Sequence, residues 1–157
     1  MIKVIETHMA DCLDLSKNLR EQDEVEIALS NGYSPLQALT LSFTMSQECH
    51  TIMYNDAPVG MFGVVDSGMF AAPWLLASKE IEQFPVTFIK ECSKWVDSMN
   101  DKHPLLINYV HKENTAAIKW LKYLGFRFTK LYEHYGVGQA PFYQFVRIKE
   151  CATQFTQ

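Results

Sequence analysis

The sequence predicts one α+β domain built on a mixed sheet. Three observations carry this. At 157 residues, with 48% hydrophobic and 13% aromatic residues, the chain suits a single packed core and not a disordered segment. The hydrophobic period switches repeatedly between helical and alternating along the chain. Finally, no repeat, linker or low-complexity stretch divides it, so residues 1–150 are expected to form one domain and 151–157 a short tail.

The elements follow in order. Ile2–Glu6 ("IKVIE") alternates as a first strand. Met9–Leu19 reads as a helix, and Glu21–Leu29 continues helical until Asn31-Gly32 ends it. Ser34 is a good N-cap, Pro35 suits the first helical position and Gln37 completes a capping box, so a short apolar helix runs to about Met45. His50–Tyr54 and Val59–Val65 form a hairpin through the turn "NDAP". Met69–Ala77 is a third apolar run, a central strand with an irregularity at Pro73.

Phe84, Phe88, Cys92, Trp95 and Met99 recur at three- and four-residue spacing, which predicts a long amphipathic helix from Pro85 to Asn100. Leu105–Val110 is a strand. Asn114 then caps a helix whose apolar side holds Ala117, Ile118, Leu121 and Leu124, and Gly125 suits its left-handed end. Phe126–Tyr135 and Phe142–Ile148 close the chain as two strands joined by "GVGQAP".

Composition excludes several functions. Fourteen Lys and Arg against 18 Asp and Glu give a net charge of −4, which disfavours nucleic-acid binding through phosphates. No apolar run approaches the ~18 residues of a membrane span, and the N-terminus lacks an apolar signal core. Cys12, Cys49, Cys92 and Cys151 form no C-x-x-C pair and have no His at zinc spacing, so they read as free thiols and no metal is expected. The chain reads as a soluble intracellular protein.

The order of elements, together with "N-x-x-A-I-x-x-L-x-x-L-G-F" from Asn114 to Phe126, resembles the GNAT superfamily of acyl-CoA-dependent N-acetyltransferases. The run Trp74-Leu75, the strand end Asn108-Tyr109-Val110 and the helix Asn114, Thr115, Ile118, Trp120, Leu121, Gly125, Phe126 are similar, more narrowly, to the GNAT-like internal virion protein A family of short-tailed phages. The first resemblance implies a mostly antiparallel mixed sheet, splayed between its fourth and fifth strands. It implies acetyl-CoA as cofactor, with its pantetheine arm in the splay on the fourth strand, here Phe70–Ala77. Trp74, Leu75, Leu76, Ala77, Ser78, Lys79, Asn114 and Ala117 are the implied cofactor residues. A small-molecule or protein amine would attack the thioester, which needs a base near the splay. Tyr109, His111 and Glu113 are the candidate catalytic residues, with His50 and Tyr143 further off. The second resemblance implies virion proteins as partners, and a place in the host cytoplasm or packaged in a virion.

Two departures from the catalytic pattern stand out. The implied pyrophosphate loop reads "LLASKEIEQFPV", without glycine and with Glu80 and Glu82 where phosphates would sit. Leu121 stands where the family's general-acid Tyr falls. Tyr123 is turned about 200° away by the helical period. The basic residues Lys112, Lys119, Lys122, Arg127 and Lys130 read as a solvated face, with coenzyme A phosphates as the alternative contact, and the acidic run Glu21–Glu26 as another solvated face. The sequence thus leaves two readings: an N-acyltransferase, and a GNAT-fold virion or host-interaction protein that has lost the chemistry.

Overall fold

The computed structural model describes residues 1–149. The expected tail 151–157, with Cys151, lies outside the described residues. The chain runs β1 (Ile2–Glu6), α1 (Met9–Ser16), α2 (Glu21–Ser30), α3 (Pro35–Met45), β2 (Glu48–Tyr54), β3 (Ala57–Asp66) and β4 (Ala71–Ala77). A 3₁₀ turn, Lys79–Gln83, leads into α4 (Pro85–Lys102), followed by β5 (Leu105–His111), α5 (Thr115–Tyr123), β6 (Arg127–Tyr135) and β7 (Ala140–Ile148). The seven strands form one sheet in the order β1-β2-β3-β4-β5-β7-β6, antiparallel except between β4 and β5.

Local chemistry explains most of these elements. Asn55 and Asp56 take φ of 51° and 62° between the paired Tyr54 and Ala57, so "ND" is a two-residue turn of the kind that matches strand twist. Both halves of the Ser34–Gln37 capping box are present, at 2.9 and 3.2 Å. At the end of α5, Gly125 has φ +87° and the Phe126 N–H reaches the Leu121 carbonyl at 3.0 Å, closing a Schellman motif.

The sheet carries a core on each face. Against α4 and α5 lie Ile52, Phe62, Ile81, Phe88, Met99, Leu106 and Phe145. Against α1, α2 and α3 lie Cys12, Leu15, Ile27, Leu39, Met61 and Leu76. Cys92 is buried in the first, as its place on the apolar stripe of α4 predicts.

Three expectations are corrected. The helical stretch after β1 is two helices and not one continuous run, because residues 17–20 leave the helix and Leu19 makes an isolated bridge to Ser78. Phe70 lies just outside β4, in the turn after Gly68. The run Glu21–Glu26 is solvated only in part, since Glu21, Gln22, Glu24 and Val25 are exposed but Asp23 is only 3% exposed and Glu26 is half-buried.

β4 and β5 pair only at Ala71 and Leu106, then part. Asn108 explains where. Its Nδ2 donates to the Pro73 carbonyl at 2.8 Å while its Oδ1 accepts the Tyr109 N–H at 2.8 Å. One side-chain amide thereby stands in for the next rung and wedges the strands apart. Asn108→Ala leaves both backbone groups without that partner, and urea denaturation is expected to show a loss of about 1–3 kcal/mol.

Candidate functional site

The ladder with β3 fixes which backbone groups line the split. Ser78 N–H bonds to the Val59 carbonyl at 2.9 Å, so the alternate residues Pro73, Leu75 and Ala77 turn their backbone groups toward β5. On the other side Lys112 N–H bonds to Pro141 of the β7 side at 2.9 Å, so Tyr109 and His111 turn theirs toward β4. These two inner edges would be bare, and a buried bare backbone group is costly.

α2 fills that need from above. The Ala77 N–H donates to Asp23 Oδ2 at 3.0 Å, and the Ala77 carbonyl accepts the Arg20 N–H at 2.8 Å. Across the split, the His111 N–H donates to Glu26 Oε1 at 2.8 Å. Arg20, 1% exposed, donates through Nη2 to Asp23 Oδ1 at 2.8 Å and to Asn114 Oδ1 at 3.3 Å, and through Nη1 to Glu82 Oε2 at 3.1 Å. Its guanidinium also lies over the Trp120 ring, 4.7 Å from the centroid.

Asn114 completes the network. Its Nδ2 donates to Glu26 Oε1 at 3.2 Å, and its Oδ1 caps α5 at the Ala117 N–H, 3.4 Å away. The side chain is 1% exposed, so every group of its amide is turned inward. Burial pushes the Asp23 carboxyl up, while Arg20 and the Ala77 N–H pull it back. For Glu26 burial wins: its carboxyl is pushed up to about 7, against the opposing pull of the His111 N–H, with the Asp23 charge adding to the rise.

Around this network the split holds a cavity of about 540 Å³. Tyr33, Leu41 and Met45 line it on the α3 side, and Phe88, Trp120 and Leu121 on the α4–α5 side. Trp74 and Trp120 do not fill the opening. Trp74 donates Nε1 to Ser46 Oγ at 2.7 Å, and Trp120 packs edge-on against Phe88.

The expected residues are placed as follows. Trp74, Leu75, Leu76, Asn114 and Ala117 line the cavity, and Ala77 ends β4 beside Asp23. Ser78 is buried against β3, its hydroxyl 3.4 Å from the Val59 carbonyl, and Lys79 is exposed. Tyr109 lines the cavity, stacks on Tyr135 with centroids 4.7 Å apart and accepts from Gln144 Nε2 at 3.1 Å. The His111 ring lies against Phe142, centroids 5.2 Å apart, and Glu113 is exposed. His50 sits on β2, bonded to Glu48 at 3.2 Å and packed at a tilt on Trp95, away from the split. Tyr143 packs on Phe128, and Tyr123 is 76% exposed. Lys112, Lys119, Lys122, Arg127 and Lys130 are all exposed.

Arg20, Asp23 and Glu26 were not among the residues the sequence marked. A signal was present, because positions 20, 23 and 27 share one helix face and Ile27 is the apolar member of it. Among the described residues no group of His, Cys, Asp and Glu is placed to hold a metal, and no helix is long and apolar enough to cross a membrane.

The family described as bacteriophage T7 probable scaffold protein Gp13 matches residues 65–133, less than half of the chain. No curated protein matches in sequence. Solved structures match over nearly the whole length. The ribosomal-protein-S18-alanine N-acetyltransferase of Escherichia coli is 12% identical, with a TM-score of 0.71 over 100% of this chain and 99% of that one. A Salmonella typhimurium protein solved with its cofactor acetyl-CoA is 14% identical, with a TM-score of 0.71 over 96% of each chain. The ribosomal-protein-alanine N-acetyltransferase of Brucella melitensis is 14% identical, with a TM-score of 0.70 over 94% of this chain and 99% of that one. At such identities the likeness is one of architecture, and the chain has the fold of the GNAT acetyltransferases.

Proposed function

We propose that this is a phage-type protein that keeps the GNAT fold and uses it for binding, in a virus particle or in the infected host's cytoplasm, without acyl transfer. One observation carries the reading: at Ala77 and His111 the split of the sheet is already paired, from within, by α2 and its N-cap. An extended cofactor arm needs the inner edge of β4, yet the Ala77 N–H and carbonyl are taken by Asp23 and Arg20. The amide of Asn114 is spent on Arg20, Glu26 and the cap of α5.

The far end fits a pyrophosphate no better. The turn Lys79–Gln83 buries Ile81 fully and presents Glu80 and Glu82, and α4 starts at Pro85 behind an N-cap residue, Phe84, that makes no side-chain cap. Phosphate placed there would meet carboxylates and no glycine cradle. Acetyl-CoA therefore does not fit the site as its side chains stand. The match of residues 65–133 to a T7 scaffold family supports the phage half of the proposal, with other virion proteins as partners.

A second reading is an acyl-CoA-dependent N-acyltransferase acting on a small-molecule or protein amine, with Tyr109, His111 and Glu113 near the chemistry. The fold and the 540 Å³ cavity within the split favour it. An assay of thiol release from acetyl-CoA separates the two. The first reading expects no release above the amine-free background with polyamines, amino acids or ribosomal protein N-termini as acceptors, and expects the protein in mass spectra of purified virions. Amine-dependent release would establish the second.

A further inference from the structure

α2 is attached to the rest of the molecule in an unusual way. Its buried side chains are Asp23 and Ile27, so one fully buried apolar residue, with half-buried Leu29, anchors a ten-residue helix. The other fastenings are hydrogen bonds. At the N-terminal end Arg20 and Asp23 hold Ala77 on β4, and Leu19 bridges Ser78. In the middle Glu26 holds His111 on β5 and Asn114 at the start of α5.

At the C-terminal end the hairpin between β6 and β7 closes over the helix. The Gly138 N–H donates to the Leu29 carbonyl at 2.8 Å and the Val137 N–H to the Ser30 carbonyl at 3.2 Å. This clasp accounts for the sequence "GVG". At Gly136, φ is +70° and a Cβ would stand 2.6 Å from both carbonyl oxygens of Leu29 and Ser30. A Cβ on Gly138 would come 2.6 Å from Leu29 Cδ2.

We infer that α2 is a strap across the split sheet, poised to lift as a unit while the two cores stay folded. Elements with little apolar burial and polar fastenings open locally at lower free energy than the cores they cover. Lifting it bares the inner edges of β4 at Ala77 and of β5 at His111, together with the cavity beneath. The inference rests on the reading that α2 closes the split in the resting protein, and it adds that the closure is reversible.

Amide hydrogen exchange on the whole protein tests it. Amides of Val25–Ser30 are expected to exchange at least about 100-fold faster than those of Ile89–Met99 in α4, after correction for intrinsic rates. Gly136→Ala, which forces the clasp apart, is expected to speed α2 a further tenfold or so and leave α4 unchanged. Exchange of α2 at the rate of α4 in the wild-type protein would overturn the strap, as would a Gly136→Ala variant that speeds both helices equally. Should that variant fail to fold, the wild-type comparison alone decides. Acetyl-CoA binding to the resting protein would remove the closed reading without touching this result, so the two fail separately.

Discussion

Arg20→Ala is expected to cost about 3–5 kcal/mol of folding stability in urea denaturation, an effect rarely reached by a single polar residue. The reason is what it leaves behind. Asp23 is 3% exposed and its partner charge would be gone, while the Asn114 and Glu82 oxygens would also lose their donor. Breaking one side of a buried pair strands a charge, which costs more than the pair contributes. The double variant Arg20→Met, Asp23→Leu removes both charges together. It still leaves the Ala77 N–H without its acceptor, so its expected cost is about 1–3 kcal/mol, below that of Arg20→Ala alone. A single variant costing under about 1 kcal/mol would mean that Asp23 finds water or another donor and that the network does not bind the two strands.

The second large effect belongs to Glu26 and depends on pH. Its carboxyl is pushed from the usual 4.5 to about 7 in the folded protein. A raised acid binds its proton more tightly when folded than when unfolded. Its contribution is therefore fully present below about pH 4.5, falls as pH rises toward 7 and is lost above that. The groups facing Glu26 are Asp23 on its own helix, Arg20 at that helix's N-cap, the His111 N–H and Asn114 amide across the split, and the Tyr135 phenol on β6. Glu26→Gln keeps an oxygen for His111 and Asn114 and removes the titration. At pH 8 it is expected to be more stable than the wild type by up to about 3 kcal/mol, and at pH 4 about equal to it. Thermal melts of both proteins between pH 4 and 8 measure the difference. A gain that is the same at all pH values would contradict the assignment.

Both effects come from residues that the sequence presents as ordinary surface. "EQDEVEIALS" has the composition of a solvated helix, and the shared face of Arg20, Asp23 and Ile27 is the one local sign that Asp23 turns inside. Its reason is Ala77, 54 positions away, and that of Glu26 is His111, 85 positions away. Periodicity can mark the face that turns inward, but it does not name the distant backbone groups that make burial of a charge tolerable. The same holds for the hairpin loop. "GVGQAP" reads as a turn, and only the carbonyls of Leu29 and Ser30 explain why a side chain is excluded there.

What local chemistry governs was legible. Ser34, Asn114 and Gly125 cap their helices as their residue types require, and Asn55-Asp56 makes the hairpin turn. The order of strands and helices follows from the change of period, and the splay between β4 and β5 from the resemblance. Asn108 is the intermediate case. It was visible as a motif residue at a strand end, but its part in wedging the strands needs the Pro73 carbonyl across the gap.

The claim at the centre is that the protein's own α2 occupies the edges where an acyl-CoA arm would pair. Titration with acetyl-CoA, followed by the backbone amide resonances of Leu75, Ala77, His111 and Asn114, tests it directly. The account predicts no saturable shift at these positions at about 1 mM cofactor. Saturable shifts at Ala77 and His111, with a dissociation constant well below that concentration, would contradict it.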